Sequence, residues 1–128
     1  MLPKEINEDF QRAEEALKSA ERNVEEGDLY TAANRAFVAC ENSVYALLKL
    51  QFGSSSLSRM RILTRLQQID RELKETYDQS YDLRVQADYG KEAKHLPLTK
   101  ENVERILRKV KGVVEQVGRK ITSEEIKQ

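Results

Sequence analysis

The chain has 128 residues, a one-domain length at which folding buries roughly two-thirds of the unfolded surface. Charged side chains make up 34% and hydrophobic ones 39%, and the 22 basic and 22 acidic groups cancel, which excludes a global field drawing the protein to nucleic acid or a membrane. No apolar run is long enough for a bilayer, MLPKEINEDF lacks the apolar core of a signal peptide, and a lone cysteine excludes an intramolecular disulfide, so one cytoplasmic domain over residues 1–128 is expected.

Helical spacing runs through the whole sequence. Ile6, Phe10, Ala13, Leu17, Ala20 and Val24 alternate steps of four and three, one narrow apolar stripe on a first helix. Gly27 closes it, and Asp28 is placed to cap a second helix by accepting from a free amide. That helix is expected from about Leu29 to Phe52, with Leu29, Ala33, Ala36, Phe37, Cys40, Val44, Leu47 and Leu48 as a wide buried face. Its alanines allow close approach, which makes it the central helix and Cys40 a buried, inert thiol.

Gly53 to Ser58, GSSSLS, has the composition of a loop. A third helix carries Ile62, Leu63, Leu66, Ile69, Leu73 and Tyr77, and continues with a bend through Tyr81 and Leu83 to Tyr89. Gly90 to Leu98 is a break. Thr99 caps the last helix, whose buried face is Val103, Ile106, Leu107, Val110, Val114 and Val117, with Glu101 in its first turn. Thr122 and Glu125 have capping-box spacing, which predicts a short separate turn from Ile121. The fold class expected is all-α: an antiparallel up-and-down bundle of four main helices plus a short C-terminal turn.

Charge is uneven along the chain. Residues 1–28 carry four basic and nine acidic groups, whereas residues 99–128 carry eight and five, so the end helices can attract each other as neighbours. Arg59, Arg61 and Arg65 follow the serine loop, and a phosphate site there is set against a plain solvated basic face. The loop lacks the glycine pattern and lysine of a P-loop. One histidine and one cysteine do not make a metal site, so no metal and no cofactor is expected. His95 is read as a solvent-exposed loop residue.

The second helix, DLYTAANRAFVACENSVYALLKLQFG, together with YDLRVQADYG and LTKENVERILRKVKGVVEQV, resembles the HEPN domain family. The resemblance covers nearly the whole chain, and RVQADYG is its most specific part. It implies a dimeric helical bundle, since family members are usually homodimers and many prokaryotic ones are encoded beside a minimal nucleotidyltransferase. Some members are metal-independent toxin ribonucleases whose motif is an Arg followed four to six residues later by a His, two copies facing one another across the dimer. Such chemistry needs a group to move the 2′-hydroxyl proton and a cation to hold charge on phosphate.

Here Arg84 matches the motif arginine, but Tyr89, preceded by Asp88, stands where the His belongs, and Val85 is apolar where ribonuclease members commonly carry a polar residue. An unperturbed tyrosine titrates near ~10 against ~6.5 for histidine, which makes it a poor proton shuttle at neutral pH. It can still donate to phosphate or stack on a base, beside an arginine fork suited to phosphate. The function expected is therefore a HEPN-like homodimeric binding or regulatory protein rather than an enzyme, partner of a separately encoded nucleotidyltransferase, with an RNA or nucleotide phosphate site at Arg84, Asp88 and Tyr89. Asn34 and Arg35 are polar interruptions on the second helix that either line the cleft beside Arg84 or bond to neighbouring helices. A local Arg84–Asp88 ion pair anchoring a helix end is the structural alternative. The functional alternative is a divergent toxin ribonuclease of a toxin-antitoxin pair, using Arg84 with Tyr89 or with His95 folded back.

Overall fold

The computed structural model describes residues 2–128. Its elements are α1 (Lys4–Glu25), α2 (Leu29–Phe52), α3 (Arg59–Ile69), α4 (Arg71–Tyr89) and α5 (Lys100–Lys127), with no strand among the described residues. The fold is the all-α bundle expected. α2 is its centre and packs against α1, α4 and α5. Ala32, Ala33, Ala36, Ala39 and Ala46 are all buried on it, and these small side chains let the three neighbours come close on different sides. Each neighbour fills the space with larger groups, among them Ile6, Leu17, Leu83, Ile106 and Val110.

The ends of α2 form as the sequence predicts. Asp28 accepts from the Thr31 amide at 3.1 Å and from its hydroxyl at 2.6 Å, and Gly53 takes the left-handed conformation, φ +78°, that ends the helix. Thr99 likewise caps α5 through the Asn102 amide at 3.2 Å. Cys40 lies in the middle of α2 with no exposed surface. Burial pushes its thiol up to about 12 and outweighs a hydrogen bond with Ser80, so it stays an unreactive thiol.

Two expectations are corrected. The single bent third helix is two helices, with α3 folded back so that its first residue, Arg59, lies over the Tyr81 ring of α4. Asp70 makes the break. Its backbone is extended at φ −166° and ψ 119°, its amide closes α3 on the Leu66 carbonyl, and its carboxylate opens α4 by accepting from the Glu72 amide at 2.9 Å. The second correction is at the C-terminus, where α5 runs unbroken through Thr122 and Glu125 to Lys127. Ile121 extends the buried Val110, Val114, Val117 stripe, so a continued helix buries one more apolar side chain than a separate turn would.

α1 and α5 are neighbours, as their opposite charge suggests, but no ion pair joins them among the described residues. What ties α1 electrostatically is Asp9. It is buried, receives the Lys49 ammonium of α2 at 2.6 Å, and accepts from Arg12 at 2.9 Å. No helix is long and apolar enough to cross a membrane.

Candidate functional site

The C-terminal turns of α4 run side by side with the start of α2. Gly90, at φ +63°, ends α4 with its amide on the Gln86 carbonyl. Arg84 and Asp88 lie one turn apart just before that stop, and the Arg84 Nε donates to Asp88 Oδ2 at 3.0 Å. The same carboxylate oxygen accepts from Asn34 Nδ2 of α2 at 2.8 Å. Asn34 in turn uses its Oδ1 to accept from both Nε and an Nη of Arg35, at 3.0 and 2.8 Å. On the other side, Arg84 donates an Nη hydrogen to the Tyr89 hydroxyl at 3.4 Å.

All five residues singled out in the sequence therefore lie in one connected chain, Arg35–Asn34–Asp88–Arg84–Tyr89. The local ion pair is present too, so Arg84–Asp88 anchors the helix end while Asn34 carries the connection across to α2. The Arg84 guanidinium also lies 5.7 Å from the Phe37 ring centre and 5.6 Å from that of Tyr89. It is thus held by one carboxylate and two aromatic rings, with about a third of its side chain open to solvent. A guanidinium has five N–H donors, and only those to Asp88 and Tyr89 are spoken for. The Tyr89 hydroxyl accepts from Arg84, so its own hydrogen is free to point outward, and the ring is 62% exposed. Chemically this is a fixed cation with an aromatic face beside it, a ledge for an anion attached to a planar group.

Glu41, one α2 turn beyond Phe37, was not singled out in the sequence. Burial raises its carboxyl above the ordinary value, against the lowering effects of a hydrogen bond with Tyr45 and of the Arg84 charge. The same surroundings push the Tyr45 phenol up to about 12, mainly by burial. A raised carboxyl costs stability once ionised: its contribution is whole below the unfolded value and is lost as pH rises through the folded one. Glu41→Gln is accordingly expected to raise the melting temperature at pH 7, with no gain at pH 4. A lower melting temperature at pH 7 would mean that attraction to Arg84 outweighs the burial.

His95 does not join this network. It sits on the connector between α4 and α5, and its Nε2 lies 3.2 Å from Asp78 Oδ2 on α4. Asp78 is shared, because its Oδ1 accepts from Arg59 at 2.5 Å. The expectation of a plain exposed loop residue thus holds only in part, since the side chain is half exposed but paired. The connector around it is fixed by α4. Asp82, buried, accepts from the amides of Lys94 at 3.0 Å, His95 at 2.8 Å and Leu96 at 3.1 Å. Gln86 donates to the Leu96 carbonyl and accepts from the Leu98 amide. Burial alone would raise the Asp82 carboxyl; the three amides, with His95, outweigh it and hold the group below its usual range.

Of the other arginines after the serine loop, Arg65 lies over the Phe52 ring at 4.6 Å and Arg61 is exposed, so the three do not converge on one point. Among the described residues no three His, Cys, Asp or Glu side chains gather as a metal would need. A hollow lined by Phe10, Gly118 and Ile126 opens between α1 and α5, away from Arg84. In comparison with known proteins, the family model described as the HEPN domain matches residues 7–121. No curated protein matches the sequence.

Proposed function

Because the chain belongs to the HEPN family, whose general role is tied to nucleotides and RNA, we propose that it is a homodimeric binding or regulatory protein that holds an RNA or nucleotide phosphate at Arg84. One observation carries the reading: Arg84 is braced by Asp88 and, through Asn34, by α2, yet keeps donors free beside the exposed Tyr89 ring. A guanidinium whose orientation is already fixed loses little freedom on binding, so more of the phosphate contact appears as affinity. Tyr89 supplies an outward hydroxyl and a face for a base, and Arg35 adds a second cation through Asn34. The partner proposed is a separately encoded nucleotidyltransferase, with both proteins in the cytoplasm.

Tyr89 stands in place of a histidine and His95 is drawn to Asp78 instead of Arg84, so no imidazole lies in the Arg84 network. This favours holding phosphate over cutting RNA. The test is fluorescence anisotropy with a labelled single-stranded RNA and with AMP, alongside gel analysis of the RNA. Arg84→Ala is expected to weaken binding roughly 10- to 100-fold, the worth of one charge-assisted contact. Binding of neither probe would end the proposal, and RNA cleaved by the native chain but not by Arg84→Ala would replace it with the toxin ribonuclease.

A further inference from the structure

The Arg59–Asp78–His95 cluster belongs to neither the core nor the Arg84 network. Its members come from the first residue of α3, from α4 and from the α4–α5 connector. We propose that Arg59 and His95, braced on the carboxylate of Asp78, form a second anion site whose ligand is a phosphate monoester.

The cations are held but not used up. Arg59 makes one hydrogen bond to Asp78, stacks 3.8 Å above the Tyr81 ring, and its Nε is buried without an acceptor among the described residues. His95 meets Asp78 through Nε2, and Nδ1 makes no hydrogen bond among the described residues, on a side chain 45% exposed. Asp78 stands between the two side chains, and Asp82 adds a second carboxylate close to His95, so the donors left free, rather than a net charge, are what an anion would meet. A dianionic monoester gains more from such donors than a monoanionic diester does.

Preorganisation supports the site as well. Asp78, Asp82 and Gln86 form one stripe along α4, at four-residue steps, and all three reach the connector, Asp78 while also holding Arg59 of α3. Asp82 fixes the backbone on both sides of His95 and Gln86 fixes the residues after it, so the imidazole is presented from a rigid support. A connector required only to reach α5 does not need its one ionisable ring held at both backbone and side chain. The competing account is a latch, in which Asp78 merely ties α3 to the connector.

His95 is the only histidine, so its ring NMR signals report this site alone. At about pH 7, where a phosphate monoester is mostly dianionic, and at constant ionic strength, inorganic phosphate and AMP are each titrated into the full chain. Both should move the His95 signal along a saturating curve, and the diester UpU should do so about fivefold more weakly. Arg59→Lys keeps the charge and loses the planar fork, and should weaken phosphate binding about tenfold while the circular dichroism stays unchanged. A response no different from that to chloride, or one unaltered in Arg59→Lys, overturns the site and leaves the latch. Tighter binding of UpU than of AMP overturns the monoester assignment. Because the readout is His95, loss of RNA binding at Arg84 leaves this result standing on its own.

Discussion

Asp82→Ala should cost about 3 kcal/mol of stability and lower the melting temperature by roughly 10 °C. The carboxylate is 2% exposed and is the acceptor for three successive amides, at Lys94, His95 and Leu96. Truncation strands all three donors, and although the connector can partly turn them to water, it then loses its fixed path between α4 and α5. The pH dependence has a definite sign. The folded carboxyl lies below its ordinary value, so the stabilisation is complete above the unfolded value near ~3.9 and disappears as pH falls through the folded one. Thermal melts of both proteins should differ most at neutral pH and converge in strong acid. Equal melting temperatures at pH 7 would show that the connector stands without this anchor. Asp82→Asn should be nearly as damaging, because an amide offers one oxygen and turns its own N–H donors toward the backbone ones.

Lys49→Met is the second large effect, about 2–3 kcal/mol, measured by denaturant unfolding. Asp9 is nearly buried, and Lys49 reaches it from the far end of α2 at 2.6 Å. Methionine keeps the apolar stem and removes the ammonium, leaving Asp9 with only Arg12, whose side chain is more than half exposed and so compensates weakly. Replacing both members of the pair, Asp9→Leu with Lys49→Met, should recover most of the loss, since the costs of stripping water from two charges vanish together. A double variant no more stable than Lys49→Met alone would show that the ion pair itself, not the stranded carboxylate, supplies the stability.

Most of the helical frame could be read from single residues. Asp28, Gly53, Gly90 and Thr99 each act within four positions of themselves, through a cap or a left-handed turn, so their effect is written locally. Asp70 was hidden because the apolar stripe of Leu66, Ile69, Leu73 and Tyr77 keeps helical spacing across it, and an aspartate that caps in both directions leaves no composition signal. At the candidate site, the Arg84–Asp88 pair follows from i,i+4 spacing, whereas the Asn34–Asp88 bond joins residues 54 apart and depends on how α2 meets α4. The sequence marks Asn34 and Arg35 only as polar interruptions on an apolar helix, which does not choose between Arg84 and the neighbouring helices as their partner. Nothing in the spacing marks Asp78, Asp82 and Gln86, three polar residues at four-residue steps. Asp78 holds two side chains from distant elements, and Asp82 and Gln86 recognise mainly backbone amides, which are identical at every residue but proline.

That indifference leaves a patch of the molecule open to change. The Asp82 cradle holds N–H groups alone, so the exposed position 94 tolerates almost any side chain but proline, whereas Leu96 also packs against the core. A library varied at position 94 should keep the bundle intact while altering the charge and shape flanking His95. Descendants of this chain can thus acquire new preferences at that edge by point substitution, without renegotiating the scaffold beneath.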